Sequence, residues 1–309
     1  MAMGAGIMAA WLQTERGRAE AQEARVVSGS SATIQRDGHT YAYNDDLVTV
    51  GFIGFDGRYQ EDGAAGQADV VMVVAIDTKT GKLSGVVIPR DSMVSVDAYA
   101  GGVYAGQVTQ QIALQYAYGD GSEQSSRLVA QAASRVLHDI PINYYLTLNL
   151  FGVSALNDAI GGVTLVPAAS VPGTDIEAGR SITLLGDDAY QYVHWRVVEG
   201  EGSLTSSLDR QKRQVQYFNA FMAQAMGVAR ADSGLLDRLY ALAMENGWSD
   251  LGASEYAYLS RAMLTSGISG IDVRQLSGEM RKGELYSEYY LDDEAVLDVV
   301  LDVFYRQVD

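Results

Sequence analysis

The residues best suited to chemistry are arginines and aspartates placed where apolar runs end. Val87–Ser92 reads VIPRDS, so a strand stops at a proline and delivers Arg90 and Asp91 into a loop. Loops at strand ends are where layered α/β folds carry their sites. Asp56 closes one apolar run and Asp69 opens the next. If those runs are neighbours in a sheet, the two carboxylates meet. Two carboxylates completed by phosphate oxygens are a normal setting for Mg2+, which takes hard oxygen ligands. Taken singly, Arg90 and Asp91 read as a surface ion pair capping a strand, and Asp56 and Asp69 as solvated strand ends. The run Asp209–Gln214, DRQKRQ, falls near the start of a helix. Arg210 and Gln214 share a face at i, i+4 spacing, and Arg213 lies at i+3. Cations in a first helical turn oppose the macrodipole, which favours anions there. The conflict points to an anion site, since guanidinium groups suit bidentate phosphate contacts. The other reading is a solvated basic helix face. In YVHWR, Arg196 follows Tyr192 by one helical turn.

Other chemistries lack their residues. There is no GxSxG elbow, no HExxH and no dinucleotide fingerprint between a strand and a helix. DTKTGKL resembles a P-loop fragment, but its first glycine is absent and Leu83 follows Lys82. The three histidines, His39, His138 and His194, do not cluster, and there is no cysteine. Thiolate metal sites, disulfides and cysteine nucleophiles are therefore excluded.

The elements that must position these groups follow from periodicity. Val48–Phe55, Val70–Ile76 and Leu83–Pro89 are nearly uninterrupted apolar runs, as expected of strands buried on both faces. Asp77–Lys82 between the last two marks a hairpin turn. A short helix is expected over Gln107–Tyr118. An amphipathic helix is expected over Ser122–His138, with Ser122, Ser125 and Ser126 as possible caps. Then follow a strand Ile142–Leu148, a helix Phe151–Ile160, and strands Val163–Val166 and Ile182–Leu184. Helices are expected over Asp187–Trp195, Ser206–Met226, Leu235–Met244, Ser254–Leu264 and Asp293–Tyr305. A strand pair is expected from Ile271–Leu276 and Leu285–Tyr290. The alternation gives an α/β (α+β) fold, a central mixed sheet flanked by helices.

The chain of 309 residues carries 39 Asp and Glu against 22 Lys and Arg, a net charge of −17. That charge argues against a nucleic-acid surface, while leaving room for a local basic pocket. Met1–Leu12 is apolar but shorter than the roughly twenty residues a bilayer span needs. It reads either as the outer end of a membrane anchor or as a frayed start. We divide the chain into residues 1–39 (anchor remnant, stalk and linker), 40–230 (core) and 231–309 (acidic, mainly helical extension). In that extension Val296, Val299, Val300, Val303 and Phe304 form an apolar stripe.

Seven ordered segments together resemble the LytR–CpsA–Psr proteins of Gram-positive cell envelopes. They are IGFD with Asp56, QADVVMVVAID with Asp69, VVIPRDS with Arg90 and Asp91, and QIALQYAYGDG. The others are IPINYYLTLNLFGVSALNDAIGGVTL, YVHWR with Arg196, and the RxxRQ run Arg210–Gln214. The resemblance covers roughly Leu47 to Met226. It implies a membrane-anchored protein on the outer face of the cytoplasmic membrane. Such a protein binds a polyprenyl-pyrophosphate-linked glycopolymer with its lipid in an apolar tunnel. It transfers the glycan, a teichoic acid or capsule-like polymer, through its phosphate to peptidoglycan. By position, Asp56 and Asp69 are implied as Mg2+ ligands. Arg90, Arg196 and Arg210, with Arg213 and Gln214 beside them, are implied to bind pyrophosphate. Asp91 is implied to orient an arginine or assist the acceptor hydroxyl.

The chain departs from the family pattern at four positions. Gln67, His194 and Val94 stand where arginines are usual, and Ser207 where an acidic residue is common. Fewer cations mean fewer charge-assisted phosphate contacts, at about 1.5–3 kcal/mol each. The sequence therefore also fits a lipid-binding or regulatory paralogue without turnover. A third reading is an envelope adaptor that uses its acidic C-terminal helices.

Overall fold

The structure is a computed structural model, describing residues 14, 16–21, 33–57, 65–197, 203–232, 234–265 and 270–309. The apolar start Met1–Leu12 lies outside the described residues, as does most of the expected linker.

Among the described residues fifteen strands follow in chain order. They are β1 (Thr33–Arg36), β2 (His39–Tyr43), β3 (Leu47–Phe55), β4 (Ala68–Asp77), β5 (Leu83–Val87), β6 (Met93–Ala100), β7 (Val103–Gln111), β8 (Tyr144–Asn149), β9 (Val163–Leu165), β10 (Ile182–Leu184), β11 (Gly247–Ser249), β12 (Asp272–Gln275), β13 (Gly278–Lys282), β14 (Ser287–Leu291) and β15 (Tyr305–Gln307). Among the described residues from 33 onward the helices are α1 (Glu123–Val136), α2 (Gly152–Ala159), α3 (Asp187–His194), α4 (Ser206–Ala231), α5 (Leu235–Glu245), α6 (Ala253–Thr265) and α7 (Asp293–Phe304). A 3-10 helix covers Ile112–Tyr118.

The central sheet is mixed, in the order β11-β8-β3-β4-β5-β12. Its inner strands are apolar at successive positions because both faces are covered. Ile53 and Phe55 of β3, Val71 and Val73 of β4 and Tyr145 of β8 face a core closed by α1, the 3-10 helix and α7. The alternate residues Phe52, Val70 and Leu148 pack toward α2, α3, α4 and α5. Val48, Val50, Ile76 and Tyr144 on the same face meet α6. The β4–β5 hairpin forms as expected, with the Asp77 side chain accepting from the amides of Lys79 and Thr80 and Gly81 at φ +71°.

Three expectations are corrected. The Gln107–Tyr118 segment is not one helix: its first part is the end of β7, paired with β6 in an antiparallel hairpin, and only Ile112–Tyr118 turns. Ile271–Leu276 and Leu285–Tyr290 do not pair with each other: β12 runs parallel to β5, and β14 pairs with β13. The α1 start is held by Asp120, whose Oδ1 accepts from the amides of Ser122, Gln124 and Ser125, rather than by a serine cap. The apolar stripe of α7 is core, since Val296, Val300 and Phe304 are buried against the sheet. Among the described residues no helix is long and apolar enough to cross a membrane.

Candidate active site

Strand direction assembles the site. β4 is antiparallel to both β3 and β5, so the end of β3, the start of β4 and the end of β5 meet at one sheet edge. Phe55 pairs with Ala68, which sets Asp56 beside Asp69 just past the register shift at Gly54/Phe55. The Ile88 amide donates to the Val71 carbonyl at 3.0 Å, which carries the chain past β4 and brings Arg90 over Asp69.

Asp69 is the electrostatic centre. Its Oδ1 accepts from Arg90 Nη1 and, at 2.9 Å, from Arg210 Nη2. Burial alone would raise its pKa, but the charges of Arg210 and Arg90 outweigh that and hold it below the usual carboxylate value, against repulsion from Asp56. Burial lowers the pKa of Arg210, and the nearby charges of Arg90 and Arg196 act in the same direction against Asp69. Arg210 Nε is buried without a hydrogen-bond partner. Arg90 Nη2 donates to Gln67 Oε1, so the glutamine at the position of a usual arginine orients Arg90 instead of adding charge.

Asp91 is held from three sides. Ser207 Oγ donates to its Oδ2, Gln111 Nε2 to its Oδ1 at 3.3 Å, and Arg90 Nε approaches Oδ1 at 3.4 Å. Asp56 is buried, with His194 Nε2 at 3.2 Å from its Oδ2. His194 closes α3 and stacks on Tyr190, which in turn stacks on Phe151.

Two of the expected pyrophosphate residues, Arg213 and Gln214, have backbone partners. Arg213 donates through Nε to the Tyr192 carbonyl at 3.1 Å and through Nη2 to that of Trp195, with its guanidinium 5.1 Å from the Trp195 ring centroid. Gln214 Nε2 donates to the Val193 carbonyl at 3.1 Å. Both satisfy the end of α3, where carbonyls lack helical partners. They hold the segment that carries His194 and Arg196. Sequence reasoning missed Gln111, whose reach to Asp91 depends on the unrecognised β6–β7 hairpin.

Two spaces adjoin along α4. A polar cavity of about 260 Å³ is lined by Arg90, Asp91, Arg196, Gln111, Ser206 and Ser207, among others. An apolar cavity of about 280 Å³ lies between the sheet face and α4–α6, lined by residues such as Phe52, Met72, Leu148, Phe218, Met222 and Leu259. The first turn of α4 faces the polar space. Gln211, Gln214, Val215 and Phe218 face the apolar one. Gln211 Nε2 is buried there without a partner.

As a metal site, Asp56 and Asp69 supply adjacent hard oxygens, which suits Mg2+. Among the described residues no three His, Cys, Asp or Glu side chains gather around a common point. An ion held by this pair would need its remaining ligands from outside these side chains.

The LytR_cpsA_psr family model matches residues 12–301 of this chain. The match runs well past Met226 and takes in β11 to β14 and most of α7. The Halalkalibacterium halodurans polyisoprenyl-teichoic acid–peptidoglycan teichoic acid transferase TagU is 28% identical over 188 residues, 60% of this chain and 57% of that protein. The alignment thus spans little more than half of that relative. The crystal structure of Bacillus subtilis TagV superposes with a TM-score of 0.65 at 20% identity, covering 84% of this chain and 96% of that one. A structure of TagT bound to LIIa-WTA gives 0.62 at 18% identity, covering 84% and 89%. At these identities the structural likeness concerns the fold: a mixed α+β core with a central mixed sheet. The chain belongs to the LytR_cpsA_psr family.

Proposed function

We propose that this family member transfers a glycopolymer from a polyprenyl-pyrophosphate carrier to peptidoglycan at the outer face of the cytoplasmic membrane. One observation carries the reading: a single helix, α4, faces a polar space beside three clustered arginines with its first turn and an apolar cavity with the next turns. That succession matches a ligand with an anionic head and a long apolar tail. The family membership and the named activity of TagU support the same substrate class.

In this reading Arg90, Arg196 and Arg210 bind the pyrophosphate, and the polyprenyl tail lies along Phe218 and Met222. The acceptor hydroxyl oxygen attacks the phosphorus that bears the glycan. The bond from that phosphorus to the bridging oxygen breaks, and polyprenyl phosphate leaves with the bonding pair. Asp91, clamped by Ser207 and Gln111, accepts the hydroxyl proton. Such transfers depend on positioning and charge neutralisation more than on covalent help from the protein. Asp56 and Asp69 would hold Mg2+, which when bound offsets negative charge on the phosphate oxygens.

The test is release of polyprenyl phosphate from a lipid-linked oligosaccharide, with Mg2+ and peptidoglycan present. Arg90→Ala removes a charge-assisted contact of about 1.5–3 kcal/mol, so turnover should fall roughly ten- to hundredfold. An unchanged rate overturns the assignment. Binding without turnover in the wild type favours the paralogue reading, which rests on Gln67 and His194.

A further inference from the structure

The polar cavity has a second wall that the pyrophosphate chemistry does not use. It comes from the C-terminal part of the chain. β13 and β14 form a hairpin whose turn closes with the Gly283 amide donating to the Tyr286 carbonyl at 2.9 Å. Tyr286 and Ser287 line the same cavity as Arg90 and Arg196.

The base of this hairpin is fixed to the reacting end of the site. The Tyr289 amide donates to the Asp91 carbonyl at 2.9 Å. Gln111 Nε2 bridges the Ser287 carbonyl, at 2.7 Å, and Asp91 Oδ1, at 3.3 Å. Ser287 Oγ donates to the Leu204 carbonyl at 3.2 Å, which ties the hairpin to the approach to α4. The tip, in contrast, is open: Leu285 is 80% and Tyr286 58% exposed. An aromatic side chain this exposed, on a rigidly rooted turn, has no part in the core.

The chemistry of this wall differs from that of the arginine side. It offers an aromatic ring beside hydroxyl, amide and carboxylate groups. A pyranose ring has an apolar C–H face that packs on an aromatic ring and a rim of hydroxyls that pairs with Ser, Gln and Asp. A phosphate has no use for the ring. We propose that the β13–β14 hairpin is the carbohydrate-binding wall of the site, with Tyr286 as the stacking residue for the sugar next to the phosphate. This rests on the pyrophosphate reading only for which sugar is meant. Because the hairpin base is bonded to Asp91, a sugar stacked on Tyr286 is held in register with that carboxylate. Fixing a reactant in this way is a large part of catalysis by positioning.

The experiment uses the full chain and two soluble probes, a β-1,4-linked N-acetylhexosamine tetrasaccharide and inorganic pyrophosphate. Tyr286→Ala should weaken tetrasaccharide binding about tenfold, and Tyr286→Phe should retain it. Pyrophosphate affinity and the unfolding midpoint should stay unchanged in both. Arg90→Ala should do the reverse, losing pyrophosphate and keeping the sugar. Tetrasaccharide binding unaltered by Tyr286→Ala overturns the proposal. Pyrophosphate binding unaltered by Arg90→Ala overturns the functional reading instead and leaves the sugar result standing. In the transfer assay, a rise in KM for the acceptor alone assigns Tyr286 to the acceptor sugar, and one for the lipid-linked donor alone assigns it to the donor sugar. A rise in neither overturns the proposal.

Discussion

Asp69 concentrates the physics of the site in one side chain. It is buried, and two guanidinium groups converge on one of its oxygens. Asp69→Asn keeps the shape but leaves the buried Arg210 without its counter-charge. Uncompensated buried charge of this kind costs about 3–5 kcal/mol, to be read from denaturant unfolding at neutral pH. The pH dependence has a definite sign. The native carboxyl titrates below its ordinary value, so its contribution is complete above an unfolded pKa of about 3.9. It is lost as pH falls through the lower native value. Wild-type stability should therefore drop more steeply than that of Asp69→Asn as pH falls below about 4. Gln211 gives the opposite case, a buried amide nitrogen with no partner among the described residues, on an apolar wall. Gln211→Leu removes an unsatisfied donor worth about 1–3 kcal/mol and should raise the thermal midpoint. A lowered midpoint would mean that the amide has a partner in solution.

At the scale of elements, the inner strands of the sheet and the β4–β5 hairpin were legible, and the β6–β7 and β13–β14 hairpins were not. β3, β4, β5 and β8 could be read because burial on both faces leaves an unbroken apolar run. The β6–β7 hairpin has no such signal, since most of β7 faces solvent and carries Gly, Gln and Thr. Asp56, Asp69 and Arg90 were legible as neighbours because each sits at one end of an apolar run. Arg213 was not, for a physical reason. An arginine that satisfies the carbonyls of a neighbouring helix end and one that binds an anion have the same sequence pattern. Only the fold distinguishes them. Arg213→Ala should cost about 1.5–3 kcal/mol, the worth of hydrogen bonds to a charged group, measured by urea unfolding. It should also disturb the α3 end that carries Arg196, so lipid-linked donor binding weakens along with stability. Arg213→Lys should restore little of either, because one ammonium cannot copy the two-carbonyl fork with its ring contact.

For the whole molecule, the sign of the net charge and the sign of the site disagree. The chain carries −17, yet its proposed ligand is an anion held by Arg90, Arg196 and Arg210. Long-range repulsion and short-range attraction then act on different kinetic steps. Approach occurs through solvent, where the summed field of the protein opposes an anionic carrier and is screened over about 10 Å at 0.1 M salt. Retention occurs at Arg210, which is buried and weakly screened, and at Arg90, which is nearly so. Raising ionic strength from about 10 mM to about 150 mM shortens the screening length from about 30 Å to about 8 Å. Association of a lipid-linked pyrophosphate should accelerate over that range, and dissociation should change little. Stopped-flow binding in detergent of fixed composition separates the two rates. A protein whose attraction for the ligand came from exposed surface cations would behave in the opposite way, with association slowing as salt rises. The direction of the salt effect on association therefore tells a buried cationic island in an acidic protein from a diffuse basic surface.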